Sequence, residues 1–297
     1  MQNEQPKIDF FRVREPGDKI TATIDFLREN RRWWLRYCVF PLLPLCAVLG
    51  WLQVPQFSVN TSYYSFWDYF DMGELLFGFT FKNHGFLSAE MLITALAWLM
   101  LFTSTGALMS LYQYREGRLH GLTWTELRGA LKRSLPAAVV ITVVAYFLYY
   151  FFCSANPLLQ LVLLAVFIPL ALYAPTSQVG YYPPLRAAGH SLSLGFNTWG
   201  GLFMVSAGLM LILFFLRGAS EALMELLDAY LSDLFFAGDI TGSARVIIYG
   251  VGAALNSFVK LACLSVMMIG AGYLYGHAEE KNSSVSLYED VRHFDEI

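Results

Sequence analysis

The chain carries little charge, and that scarcity excludes an ordinary soluble domain. Only 14% of its 297 residues are Asp, Glu, Lys or Arg, whereas 56% are hydrophobic; a soluble domain carries about 25% charged residues. The first 32 residues contain charges of both signs and lack the early apolar core of a signal peptide. We therefore predict a membrane protein whose first span directs its own insertion.

Residue patterns for metal, redox or phosphate-loop chemistry are also missing. The five histidines are spread over different loops and tails without an H-E-x-x-H pattern, and no glycine-rich phosphate loop occurs. The sequence thus predicts no metal site, no cofactor and no nucleic-acid partner. The cysteines all fall in apolar segments without a C-x-x-C pair, which favours structural thiols: Cys38, Cys46, Cys153 and Cys263.

Long apolar runs are what the chain has in abundance. A helix rises about 1.5 Å per residue and needs about 20 apolar residues to cross a hydrocarbon layer of about 30 Å. The pattern predicts an all-α, polytopic integral membrane bundle of about six transmembrane helices with additional interfacial amphipathic helices. The predicted spans are Trp33–Val54, Met91–Tyr112, Pro136–Cys153, Leu158–Pro175, Trp199–Leu216 and Val246–Tyr275.

Positive charge lies almost wholly on one side of these spans. When the N-terminus is placed in the cytoplasm, all 20 Lys and Arg except Lys82, Arg217, Arg245 and Lys260 fall on the cytoplasmic side. This asymmetry is the one that the positive-inside rule describes. It predicts a multi-pass protein of the inner (cytoplasmic) membrane with both termini in the cytoplasm. The basic residues border spans, which indicates contacts with anionic lipid headgroups.

The sequence divides into a cytoplasmic amphipathic lead-in (1–32), a six-helix transmembrane domain (33–276) and a cytoplasmic acidic tail (277–297). In the lead-in, Ile20, Ile24 and Leu27 recur at helical spacing, and a stripe of this kind predicts a helix lying in the interface. We interpret the chain as three modules, each an interfacial helix followed by a transmembrane hairpin. The alternative is that any basic, amphipathic cytoplasmic loop has this appearance.

Two later lead-ins support the three-module interpretation. Before the third span, Thr123 and Glu126 form a capping box, in which each side chain satisfies a free N–H at the start of a helix. Before the fifth span, similar residues return 57 positions later, so that Ala130 and Ser134-Leu135 recur as Ala187 and Ser191-Leu192. These echoes predict equivalent helices in the two modules.

Lys260, a lysine inside the last predicted span, is the most distinctive polar residue of the apolar segments. A charge in a span costs about 2.5–3.5 kcal/mol on insertion scales and marks a site, a pair or a snorkelling side chain. Lys260 lies 16 residues before Gly276, about 24 Å along a helix. Together with Asn256 and with Glu90 at the outer start of the second span, it forms our candidate intramembrane polar site. Pairing or snorkelling is the favoured role, and transport is the alternative.

Two further patterns in the spans bear on catalysis and packing. Ser257 and Lys260 fit the S-x-x-K pattern of penicillin-binding enzymes, but the accompanying S-D-N and K-T-G elements are missing, so we expect no catalytic residue. Gly250 and Ala254 favour a close helix contact, within the chain or in a homo-oligomer. Pro41 and Pro169 predict kinks in the first and fourth spans.

The N-terminal residues carry a resemblance to a known group. The stretches Lys7–Arg12 (KIDFFR) and Asp18–Asn30 (DKITATIDFLREN), which lead into a proline-containing span, resemble the start of uncharacterised bacterial six-span inner-membrane proteins. More distantly, the layout is similar to the membrane domain found beside some glycerophosphodiester phosphodiesterases. The resemblance implies a fold and a compartment. It implies no catalytic or ligand residues, because the phosphodiesterase domain has no counterpart in this sequence.

From the sequence we expect a non-enzymatic inner-membrane protein, an accessory or scaffold component that contacts membrane lipids and a membrane-protein partner or a second copy of itself. A transporter or translocase of a lipid or small amphiphile is the alternative, with a cavity near Lys260. A membrane-embedded enzyme is the second alternative. A polar cavity reaching mid-membrane would favour transport, and a hydrogen-bonded pair of titratable groups would be needed for an enzyme.

The predicted topology can be tested by labelling. In a cysteine-free background, single cysteines at positions 232 and 283 should react oppositely with an impermeant thiol reagent applied from outside the cell. Position 232 lies in a predicted external loop and position 283 in the predicted cytoplasmic tail. Labelling at position 283 from outside would contradict the topology.

A thermodynamic cycle tests the pairing of Lys260 with Glu90. If the two charges pair, Lys260→Met or Glu90→Gln alone should destabilise the protein by about 3 kcal/mol, because each leaves a lone buried charge. The double variant should then be more stable than either single variant. Thermal unfolding of all four proteins measures the coupling, and additive losses would show that Lys260 snorkels.

Overall fold

The protein is all-helical wherever the structure, a computed structural model, describes it. The described residues are 7–57, 88–115, 119, 121–154, 169–209 and 242–284, with single positions at 211, 212, 215, 218, 219, 222 and 226. The helices are α1 (Pro16–Trp34), α2 (Leu43–Phe57), α3 (Ala89–Tyr114), α4 (Trp124–Ser154), α5 (Tyr173–Gln178), α6 (Pro184–Asn197), α7 (Trp199–Leu209) and α8 (Gly242–Ser283).

Four helical stretches within the described residues are long and apolar enough to cross a membrane. They are Pro16–Leu52, Ala89–Tyr114, Trp124–Leu148 and Gly250–Ser283, and α7 is a shorter apolar helix. The fourth predicted span falls largely outside the described residues, and the fifth is described only in part. The protein therefore has at least the helical layout of a membrane protein, with four candidate spans.

The first candidate span is bent rather than straight. Asn30 has non-helical backbone angles (φ −105°, ψ 17°), and its side-chain amide donates to Phe26 O at 3.0 Å. A π-helical turn at Leu35–Val39 and a 3₁₀ turn at Phe40–Leu42 then lead into α2. Pro41 lies in the 3₁₀ turn, where its missing N–H accounts for the change in hydrogen bonding. The predicted kink in this span is confirmed.

Helix α3 lies at the centre of the bundle. Every residue from 101 to 110 is buried, including five that are polar or glycine. Three of the four hydroxyls return to their own helix, since Thr103 Oγ1 donates to Leu99 O at 2.7 Å, Ser104 Oγ to Leu101 O at 3.2 Å and Ser110 Oγ to Ala107 O at 3.0 Å, whereas Thr105 Oγ1 is buried without a hydrogen-bond partner among the described residues. Such self-satisfied hydroxyls let a helix be enclosed on all sides.

Helices α2 and α8 approach each other closely at a glycine. A Cβ added at Gly50 would lie 2.6 Å from Ala254 N and would overlap Gly250 O. Both atoms belong to the backbone of α8 and cannot move aside without shifting the helix. The small residues of the last span thus pack within the chain, as predicted for Gly250 and Ala254.

The lead-in helices are only partly as predicted. The capping box is confirmed, with Thr123 N donating to Glu126 Oε2 at 2.8 Å and Glu126 N donating to Thr123 Oγ1 at 3.4 Å. The helix that it starts runs into the third span without a break, so it is not a separate element. Helices α6 and α7, by contrast, are separated at Thr198 (φ −118°, ψ 18°).

The predicted repeat is matched in burial at two of its three echoed positions, since Leu135 is exposed whereas Leu192 is half-buried. Ala130 and Ser134 are buried on α4, and Ala187 and Ser191 are buried on α6. The three divisions of the chain have no break at their borders, because helix continues from α1 through the π turn, and α8 runs past position 276 to Ser283.

The face of α1 that packs on the bundle differs from the predicted stripe. The buried residues of α1 are Lys19, Ala22, Thr23, Phe26 and Asn30. Ile24 is 52% exposed, while Ile20 and Leu27 are only partly covered by the core. The stripe of Ile20, Ile24 and Leu27 is therefore not the face that packs on the bundle, and its contact with the membrane interface stays a prediction. In a membrane both lipid and protein accept apolar side chains, and it is the smaller residues that allow close contact.

Substitution of Gly50 tests whether close packing or helix propensity determines the stability of the protein at this position. We expect Gly50→Ala to destabilise the protein by about 1–3 kcal/mol, because the new methyl overlaps the backbone of α8. Gly129→Ala is the matched control, since a Cβ at this exposed position of α4 meets nothing within 4 Å. The control should gain up to about 1 kcal/mol from helix propensity.

Thermal unfolding in detergent measures both variants. Equal stability changes at positions 50 and 129 would contradict the close contact between α2 and α8.

Candidate functional site at the basic end of the bundle

Segments that are far apart in sequence meet at one end of the bundle. Lys7 Nζ donates to Gln113 O at 2.8 Å and to Arg115 O at 3.0 Å, at the C-terminal end of α3. Arg14 N donates to His277 Nδ1 at 3.0 Å, near the C-terminal end of α8. The N-terminal segment therefore lies across the ends of α3 and α8.

An aromatic core holds this segment in place. Phe10 is 3% exposed and packs against Tyr273 with ring centroids 5.4 Å apart. The Arg14 guanidinium lies 5.5 Å from the centroid of the same Tyr273 ring, at a distance that permits a cation–π contact. Burial lowers the pKa of Arg14 below its ordinary value, an effect that the charges of Asp9 and Asp18 oppose. Arginine remains charged at physiological pH under such a shift.

A groove lined mainly by arginine opens beside the C-terminal half of α1. Its volume is about 620 Å³. Helical spacing and the π turn bring four arginines to it, accompanied by one acid, one tryptophan and one glycine. The lining residues are Arg28, Glu29, Arg31, Arg32, Trp33, Arg36 and Gly121.

The far wall of the groove is a turn between α3 and α4. Gly121 has a left-handed backbone (φ 70°), which suits glycine, and its carbonyl accepts a hydrogen bond from Arg115 Nη2 at 3.3 Å. Leu119 is fully buried beneath this turn. Gly121 is thus tied to Arg115 at the end of α3, and it lines the groove together with residues of α1 and the π turn.

The single acid of the groove is held in place by a neighbouring helix. Tyr112 OH donates to Glu29 Oε2 at 3.2 Å, and the same phenol oxygen accepts from Ile8 N at 3.1 Å. Glu29 is half-buried, whereas Arg28, Arg31, Arg32 and Arg36 are exposed. The residues that line the groove therefore include four guanidinium groups against one carboxylate.

Stacked aromatic rings border the arginines. Trp33 and Tyr37 stack with centroids 5.4 Å apart at an interplanar angle of 13°, and Tyr37 stacks on Trp124 at 6.2 Å. The Arg36 guanidinium lies 5.5 Å from the Tyr37 ring centroid. Tryptophan and tyrosine are enriched where a bilayer meets water, so this stack sets the groove at headgroup level when the helices span a membrane.

A histidine and a glutamate form a hydrogen-bonded pair on the same end of the bundle. His190 Nε2 lies 2.7 Å from Glu279 Oε2, and the His190 ring stacks on Tyr182 with centroids 4.6 Å apart. Burial and the Glu279 charge raise the pKa of Tyr182. The other carboxylate oxygen accepts from Ser283 Oγ at 3.3 Å. This pair joins α6 to α8, and neither member lines the arginine groove.

The polar residues predicted within the spans occupy other places. Glu90 is 5% exposed in the first turn of α3, where Ser88 Oγ accepts from Met91 N at 3.3 Å. Asn256 and Lys260 are half-buried one helical turn apart on α8. The pairing of Glu90 with Lys260 stays a prediction. Of the cysteines, Cys38, Cys46 and Cys263 are free thiols, and the side chain of Cys153 lies outside the described part.

Sequence reasoning found part of the groove. The run of Arg28, Arg31 and Arg32 before Trp33 signalled contacts with lipid headgroups. Arg36 was missed because it falls inside an apolar span, and Gly121 was missed because only the folded chain brings its turn to α1. Within the described residues, no group of three or more His, Cys, Asp or Glu is placed to hold a metal ion.

Comparison with known proteins adds no relative. No protein-family model, curated protein or solved structure matches the chain. The groove, the aromatic stack and the contacts at the basic end are therefore the observations on which a function is proposed.

Proposed function

We propose that this is a non-enzymatic protein of the bacterial inner membrane that binds anionic lipid headgroups in its arginine groove. In that role it serves as an accessory or scaffold component, holding lipid against a membrane-protein partner or a second copy of itself. The observation that carries the proposal is the groove of about 620 Å³ in which Arg28, Arg31, Arg32 and Arg36 accompany a single acid.

The chemistry of arginine supports a phosphate-bearing ligand. The planar guanidinium offers paired N–H donors that match two oxygens of a phosphate, and its weak hydration lowers the cost of binding. Near an anionic leaflet each basic residue contributes about 1 kcal/mol of attraction. The adjoining stack of Trp33, Tyr37 and Trp124 supports a position at the level of the headgroups.

The arrangement of the chain supports the proposed orientation. The segments predicted to be cytoplasmic are the N-terminus, the turn after α3, the region of α6 and the end of α8. Contacts of Lys7 with Gln113, of Arg14 with His277 and of His190 with Glu279 bring them together at one end of the bundle. We propose six spans with both termini on this side, in the cytoplasm.

Within the described part of the chain, the His190–Glu279 pair is the observation that favours an enzyme. A hydrogen-bonded carboxylate can orient an imidazole for general-base chemistry, but such chemistry also needs a reacting group beside the free face of the ring. The Ser283 hydroxyl donates to Glu279 rather than to His190, so it is not activated as a nucleophile. We therefore assign the pair to structure, as a connection between α6 and α8.

Neutralising the groove should weaken the binding of anionic lipid. We expect Arg31→Gln, Arg32→Gln and Arg36→Gln together to reduce affinity for short-chain phosphatidylglycerol by about 100-fold, the equivalent of about 1 kcal/mol for each arginine. Lipid-dependent thermal stabilisation of the purified protein measures this. Phosphatidylcholine should stabilise both proteins equally.

A matched control variant removes three positive charges from a surface outside the groove. Arg128, Lys132 and Arg133 are exposed on α4 and do not line the groove. Their replacement by Gln should leave most of the phosphatidylglycerol response in place. An equal loss in both triple variants would show a general electrostatic attraction and would contradict a site in the groove. Lipid flux across proteoliposomes that only the groove variant loses would favour the transporter instead.

A further inference from the structure

A buried lysine lies on the opposite side of α1 from the exposed arginines. Lys19 is 2% exposed and belongs to the face of α1 that packs on the bundle. Within the part of the chain that the structure describes, its Nζ makes neither a hydrogen bond nor an ion pair. The ammonium keeps a small contact with solvent at the edge of this packed face, but a cation that lies among protein atoms without a hydrogen-bonded partner loses much of its hydration, which is costly.

The charges around Lys19 increase that cost. Arg14 and Lys281 both lie near enough to oppose its positive charge. His277, which the same three cations surround, accepts a hydrogen bond from Arg14 N through Nδ1. A neutral imidazole that accepts at Nδ1 carries its proton on Nε2, so His277 offers a further donor.

Two acids of α8 lie close to Lys281 in sequence: Glu280, which is half-buried and precedes it directly, and Glu279, which is engaged elsewhere. Positions 277 and 281 are one helical turn apart and share a face, whereas position 279 is turned about 200° from 277. Glu279 accordingly contacts His190 at 2.7 Å. The Arg14 guanidinium donates to Phe10 O and Asp9 O, so the donors left facing this region are Lys19, Lys281 and His277, a group that favours an anion.

The first turn of α7 completes this cluster. Lys19 Nζ lies 3.7 Å from the point that a Cβ of residue 201 would occupy, so the ammonium is directed at the start of α7. Gly200 and Gly201 leave the backbone there uncovered by side chains. The hydroxyl of Thr198, which precedes α7, donates to Leu194 O at 2.7 Å. N–H groups in the first turn of a helix lack intrahelical acceptors and carry the positive end of the helix dipole.

We propose that Lys19, His277 and Lys281, together with the first turn of α7, form a binding site for a phosphate group. A phosphate oxygen accepts from the Lys19 ammonium and from backbone N–H groups at the helix start, which is a favoured arrangement for this anion. Exposed Gly200 and Lys281 open the site to solvent at its edge. The phosphate belongs either to a lipid headgroup or to a small soluble phosphate. The site is separate from the arginine groove and does not depend on it.

The test uses the purified full chain in phosphate-free detergent buffer. Inorganic phosphate is one probe, and nanodiscs of phosphatidylglycerol, with phosphatidylcholine nanodiscs as the neutral comparison, are the other. Lys19→Met keeps the volume and removes the charge. We expect it to raise the melting temperature without phosphate, because the unpaired cation is gone, and to weaken phosphate binding about 10- to 100-fold. Lys132→Met, at an exposed position of α4, should change neither property.

A second substitution supplies the anion from the chain itself. Gly201→Asp places a carboxylate beside Lys19 and should raise the melting temperature without phosphate while abolishing the response to phosphate. Gly201→Asn has the same size without the charge and should do neither. Comparison of Gly201→Asp with Gly201→Asn separates the effect of a negative charge in the site from the effect of replacing a glycine in a helix.

The outcomes identify the source of the phosphate. A response of the unmodified protein to inorganic phosphate assigns a soluble ligand, and a response to phosphatidylglycerol alone assigns a lipid headgroup; in each case Lys19→Met must lose it. The proposal is overturned if neither probe stabilises the unmodified protein, or if Lys19→Met responds equally. It is also overturned if phosphate binds only after Glu289, Asp290, Asp295 and Glu296 are replaced by their amides, because the tail then fills the site. A response that persists in the groove triple variant shows that the two sites are independent.

Discussion

The enclosure of α3 is the constraint on which the rest of the bundle depends. A helix buried on every side must satisfy its polar groups internally or through its neighbours, because neither lipid nor apolar side chains replace the missing water. Thr103, Ser104 and Ser110 do so by donating to carbonyls of α3 itself, while the buried hydroxyls of Thr94 and Thr105 make no hydrogen bond within the described part of the chain. Where a neighbour contributes, the contact is specific. Gln178 Nε2 donates to Phe102 O at 3.0 Å, in space that Gly106 leaves by lacking a side chain.

Sequence pattern predicted the helices better than it predicted their faces. Helix starts follow from local chemistry, so the capping box of Thr123 and Glu126 could be read from four residues. The face of α1 that packs on the bundle could not be predicted in this way, because an apolar side chain such as Ile24 is as stable against lipid as against protein. The burial of Lys19 could not be predicted either, because a lysine that precedes a predicted span is expected to face solvent. Its environment comes from α7 and α8, which lie far along the chain.

The candidate sites likewise depend partly on local sequence and partly on contacts that only the folded chain makes. Arg28, Arg31 and Arg32 were assigned to lipid contact because they precede Trp33, and this local signal also locates one wall of the groove. The opposite wall depends on a left-handed glycine at position 121 and on the burial of Leu119, neither of which a pattern of charges contains. Glu90, Asn256 and Lys260, the residues of the candidate intramembrane site, do not line the groove. The charged residues of the sequence therefore pointed to two separate regions of the molecule.

Contact between Arg14 and His277 joins residues 263 positions apart. A ribosome produces the first of these long before the last, so the N-terminal segment cannot take its place until α8 has been made and inserted. Until then Phe10, which is 3% exposed in the finished protein, has no pocket. A chain whose last helix failed to insert would keep this aromatic segment uncovered. Burial of the N-terminal segment therefore depends on α8, and it is one of the last contacts of the bundle that the chain can complete.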